Sequence, residues 1–69
     1  MRYSELTRRL RRLGVEYYGP AKGSHEVWIW EEKQLRVNVP HHATREIPPG
    51  TLRAILRQLG ITEDDLRNA

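Results

Sequence analysis

The sequence predicts an α+β fold of order α-β-β-β-α. Two amphipathic helices would cover one face of a three-stranded antiparallel sheet, with a short extra helix at the C-terminal end. Three observations predict it. Tyr3, Leu6, Leu10 and Leu13 recur at helical spacing, Leu35 to Val39 alternates apolar with polar, and Leu52, Ile55, Leu56 and Leu59 form a second helical stripe.

The first helix spans Tyr3 to Leu13, with Arg8, Arg9, Arg11 and Arg12 around its polar side. Ser4 is a candidate N-cap, and Gly14 followed by Val15 reads as a left-handed C-cap with its apolar contact. Val15 to Tyr18 favours strand, and Gly19-Pro20 is expected to stop it. Lys22-Gly23-Ser24 reads as a turn, with His25 opening a second strand of roughly Glu26 to Trp30. Glu31 to Gln34 is expected to close a hairpin, although it lacks the usual Asn-Gly or Gly signal.

Leu35 to Val39 is the cleanest strand, with Leu35, Val37 and Val39 on one face and Arg36 and Asn38 on the other. Pro40 ends it, and His41 to Pro48 forms a connection. Pro49 suits the start of a helix, where its missing N–H costs nothing, and Gly60-Ile61 repeats the C-cap of Gly14-Val15. Thr62 and the acids after it resemble a capping sequence, which predicts a last helix from Glu63 to about Arg67. This order is that of the double-stranded-RNA-binding fold, an analogy that does not by itself fix function.

The second strand carries large apolar groups on both faces. Val27 and Ile29 are expected to pack under the helices with Leu35, Val37 and Val39. Trp28 and Trp30 would then share the outer face with Arg36 and Asn38 as an exposed binding surface. In the opposite arrangement one or both tryptophans belong to the core.

At 69 residues the chain has room for one domain, spanning 1–69, and for a thin core. Without cysteine it has no disulfide framework and no thiolate metal site, which fits a reducing interior. The start, MRYSELTRRLRRLG, has no apolar run long enough for a signal peptide, and no later segment is long enough to span a bilayer. A cytoplasmic location without membrane attachment is the expectation. Twelve cations against nine acids give a net charge of +3, and arginine predominates. Arginine forks match phosphate oxygens bidentately, so the bias suits a polyanion partner, although such surfaces also serve other ends.

The common catalytic signatures are missing: no HExxH, no GxSxG and no glycine-rich phosphate loop before a helix. The acids Glu5, Glu16, Glu26, Glu31, Glu32 and Glu46 are scattered, unlike the cluster a two-metal nuclease needs. Adjacent His41 and His42 diverge in an extended segment, so no metal and no other cofactor is expected. Three histidines remain as acid–base candidates at neutral pH. His25, at a turn-to-strand junction three residues after Lys22, is either part of a nucleophile-activating pair or a solvated turn histidine.

Lys22-Gly23-Ser24-His25, Val39-Pro40-His41-His42 and Pro49-Gly50-Thr51-Leu52-Arg53, in this order and at these intervals, resemble the HicA (YcfA-like) family of mRNA-interferase toxins. The resemblance covers nearly the whole chain. It implies a double-stranded-RNA-binding-like fold, endoribonuclease activity on mRNA without metal, and inhibition by a HicB antitoxin. It places the catalytic histidine after Gly-Ser, at His25, and puts His42 on its Val-Pro-x-His position; Lys22, Ser24, His42 and Arg53 are the expected RNA- or phosphate-binding residues. Many members have a second histidine directly after the catalytic one. Here that position is Glu26, which leaves His25 as the candidate at the turn. Trp28, Trp30 and Arg36 are the expected antitoxin-binding residues. The competing readings are a non-catalytic RNA-binding module and a protein-binding adaptor, and neither requires a titrating group at the turn.

Overall fold

A computed structural model of the chain describes residues 1–41 and 46–69. Its elements are α1 (Tyr3–Leu13), β1 (Glu16–Pro20), β2 (His25–Trp30), β3 (Leu35–Pro40), α2 (Pro49–Leu59) and α3 (Glu63–Arg67). The sheet is antiparallel in the order β1-β2-β3, so the α-β-β-β-α arrangement and the extra C-terminal helix are as expected.

Both long helices end as their sequences predict. Gly14 takes a left-handed conformation at φ 103°, and its N–H and that of Val15 donate to Arg11 O at 3.0 Å and Leu10 O at 2.9 Å. Gly60 and Ile61 repeat the pattern on Arg57 O and Leu56 O at 3.2 and 3.1 Å. These bonds satisfy carbonyls that the last helical turn would leave open. Thr62 caps α3 reciprocally. Its hydroxyl accepts from Asp65 N at 3.1 Å, and Asp65 Oδ2 accepts from Thr62 N at 2.9 Å. At α1 the N-cap is Arg2, not Ser4, and no side chain caps it.

Two strand details depart from expectation. β1 continues through Gly19 to Pro20 instead of stopping at Tyr18. An edge strand tolerates proline because one side of its backbone needs no ladder partner. A bulge makes this continuation possible: Tyr17 pairs with Trp28 and Gly19 with Val27, leaving Tyr18 as the extra residue. Between β2 and β3 the chain turns through a short 3-10 segment, Glu31–Lys33, and closes on Gln34 at φ 57°. Gln34 holds this unusual conformation with both its backbone N–H and its side-chain amide on Glu31 O, at 3.1 and 3.0 Å.

The expected placement of the tryptophans is overturned. In the β2–β3 ladder Trp28 lies opposite Val37, Trp30 opposite Leu35 and Glu26 opposite Val39. Directly opposed residues in an antiparallel pair project from the same face. The face that buries Val37 and Val39 therefore also takes Trp28 and Trp30, which are 0% and 8% exposed within the core. Val27 and Ile29 take the other face, with Arg36 and Asn38 as their cross-strand neighbours. Trp28 and Trp30 are thus core residues, and the exposed docking surface assigned to them does not exist in this fold.

The arginines of α1 are partly structural. The Arg11 guanidinium lies 5.0 Å from the Trp28 ring centroid and roofs the buried indole. Arg9 donates to the Arg67 and Leu66 carbonyls at 2.6 and 3.4 Å, and Arg12 to Ala69 O at 3.3 Å. Cations at the C-terminal end of α3 satisfy its open carbonyls and match its dipole, so they fasten α3 against α1. At the other end of α1, Arg2 forms a β-bridge with Glu46, and the Met1 amine meets the Glu46 carboxylate at 2.7 Å. That hydrogen bond, then the amine's charge, holds the Glu46 carboxyl below its ordinary range.

Candidate functional site

The Lys22–His25 turn is fixed by main-chain bonds on both sides. Ala21 N donates to His25 O at 2.8 Å, closing the β1–β2 connection, with Gly23 in the left-handed region at φ 71°. On the opposite side His41 N donates to Ser24 O at 2.7 Å, which carries the β2–β3 ladder one step past Pro40, the partner of His25. The backbone of His25 is therefore held between two strands while its side chain is exposed. A histidine placed this way has a defined position and free access to solvent, as a proton-transfer group requires.

His25 sits on the rim shared by two shallow concavities. The first is lined with Ala21, Lys22, Ser24 and Asn38, on the outer-face side of the sheet. The second, at the end of the strands, is lined with Tyr17, Pro20, Glu26 and His41. Of the expected site residues, Lys22, Ser24 and His25 are brought together here. Arg53 is exposed on α2 and lines neither concavity among the described residues. Arg36 is exposed on the outer face opposite Ile29. His42 lies outside the described residues.

The second concavity contains a side-chain network that sequence reasoning missed. The Glu26 side chain is only 13% exposed, and its carboxylate meets three partners among the described residues. Oε1 accepts a short hydrogen bond from the Tyr3 hydroxyl and another from Trp28 Nε1 at 3.3 Å. Oε2 lies 3.2 Å from His41 Nδ1. The Tyr3 and His41 rings stack with centroids 4.8 Å apart and planes 16° apart. Burial, and next the bond to Glu26, push the Tyr3 hydroxyl well above the usual phenol range, so it stays protonated as a donor. A carboxylate facing the core requires such donors, because an unpaired buried charge is costly. Alternation puts Glu26 on the face of Trp28, two residues on, but the register with β3 decides that this face is the core one.

Among the described residues no group of three His, Cys, Asp or Glu side chains is placed to hold a metal ion. No helix among them is long and apolar enough to cross a membrane.

Comparison with known protein families matches residues 3–61 to the HicA toxin of bacterial toxin–antitoxin systems. Neither the curated proteins nor the solved structures gave a match. The matched span runs from the first residue of α1 through the Gly60-Ile61 cap of α2 and includes the whole Lys22–His25 turn. On that span, which covers most of its length, the chain belongs to the HicA toxin family of bacterial toxin–antitoxin systems.

Proposed function

We propose that this toxin is a cytoplasmic, single-domain endoribonuclease that cleaves mRNA without a metal ion, using His25 for proton transfer. The observation that carries the reading is the placement of His25. Its backbone is locked between two strands, and its side chain is exposed on the rim of two concavities beside Lys22 and Ser24.

Metal-free RNA cleavage needs a base for the 2′-hydroxyl proton, a donor for the departing 5′-oxygen, and cationic or hydrogen-bonding groups on the phosphoryl oxygens. His25 takes the first role. Lys22 and the Ser24 hydroxyl, on the same turn, face the phosphate, with Arg53 and His42 as further phosphate contacts. Tyr17 lines the concavity at the strand ends and is 48% exposed, which offers a ring on which an unpaired base can stack.

The inhibiting partner is a HicB antitoxin that covers the His25 turn. With Trp28 and Trp30 buried, its contacts must come from the turn itself and from the outer face around Arg36. Induced expression tests the reading: wild-type protein should arrest growth and degrade mRNA, and His25→Ala should do neither while folding normally. Arrest without RNA cleavage would favour a non-catalytic RNA-binding module.

A further inference from the structure

We infer that His41, oriented by Glu26, is the general acid of the reaction and delivers a proton from Nε2 to the departing 5′-oxygen. The inference rests on the reading of His25 as the base and supplies the partner which that reading leaves unassigned.

Three observations carry it. His41 and His25 both line the concavity at the strand ends, so the two residues border one groove. Its Nδ1 lies 3.2 Å from Glu26 Oε2, which turns that nitrogen towards the protein and leaves Nε2 for substrate. The ring is also clamped in plane by the stack on Tyr3, yet its side chain remains 46% exposed. A ring carrying both protons is ion-paired with Glu26, the arrangement suited to a donor. Among the described residues, Glu26 and the Tyr3 ring face His41 from the core side, and His25 lines the same groove. Glu26 is itself held by Tyr3 and Trp28, so it is a positioning residue.

The step balances without a further reactant. His25 takes the proton of the 2′-hydroxyl, and the 2′-oxygen forms a bond to phosphorus. The bond from phosphorus to the 5′-oxygen breaks, and that oxygen leaves with the proton from His41. The products are a 2′,3′-cyclic phosphate and a 5′-hydroxyl end.

The test compares an ordinary RNA with one whose scissile 5′-oxygen is replaced by sulfur, a leaving group that needs no protonation. His41→Gln, whose amide keeps a donor towards Glu26, and His41→Ala should cleave ordinary RNA about 100-fold or more slowly than wild type. Both should cleave the sulfur-substituted RNA within a few-fold of wild type. Glu26→Gln should show the same rescue from a smaller defect, and His25→Ala should be slow on both substrates. Wild-type rates from the His41 variants on ordinary RNA overturn the inference, as do rates that are slow on both substrates. A wild type that cleaves neither substrate, or a His25→Ala protein as fast as wild type, sinks the ribonuclease reading and this inference with it.

Discussion

A Cβ atom on Gly14 would lie 3.5 Å from Nε1 of Trp30, so the residue that ends α1 also forms part of the wall around a core indole. That distance is an ordinary van der Waals contact, so the cost of alanine there lies in the backbone, at a φ of 103° that L side chains rarely adopt. Gly14→Ala should destabilise the fold by about 1–2 kcal/mol, read as a lower urea midpoint at unchanged slope. Gly60 is the internal control, because its φ of 70° lies at the edge of the left-handed region that asparagine tolerates, and a Cβ added there would meet nothing within 4 Å. Gly60→Asn should therefore cost less than Gly14→Asn. Equal losses at the two sites would contradict this account of the Gly14 backbone.

Trp28 is fully buried and roofed by Arg11, so its role is stability. Trp28→Ala should cost about 3–5 kcal/mol, enough to unfold much of a domain this small. Trp28→Phe keeps most of the volume and should stay folded. By titration it should bind antitoxin as tightly as wild type. A large loss of antitoxin affinity in the folded Trp28→Phe protein would restore the tryptophan to the interface.

Lys22 is exposed on the turn that holds His25, whereas Arg9 and Arg12 are engaged with the end of α3. RNA affinity should fall steeply with salt, and Lys22→Glu should lower it and flatten the slope. Filter binding at several salt concentrations checks both. An affinity that does not change with salt would argue against contact with phosphates.

Cleavage should persist in excess EDTA, since proton transfer by histidine requires no bound ion. Activity lost on chelation and restored by magnesium or manganese would contradict the metal-free mechanism.

The helices were legible from sequence because their ends are set by local chemistry, in the Gly14-Val15 and Gly60-Ile61 caps and the Thr62–Asp65 box. The faces of β2 were not, because Val27, Trp28, Ile29 and Trp30 are all apolar and alternation cannot choose between them. The choice is made by long-range register, which sets Trp28 against Val37. The same limit hid half of the site. The turn around His25 is local and readable, but His41 reaches Glu26 only because β2 and β3 pair in one particular register. Arg9 and Arg12 contribute to the arginine bias that suits a polyanion, yet the position of α3 gives them carbonyl partners.

Single-turnover cleavage of a defined RNA by purified wild-type and His25→Ala proteins, each shown to be folded by its melting curve, decides whether His25 carries the chemistry. Proton transfer by His25 predicts a drop of about 100- to 10,000-fold in the cleavage rate with little change in RNA affinity. A folded His25→Ala protein that cleaves at the wild-type rate would contradict it.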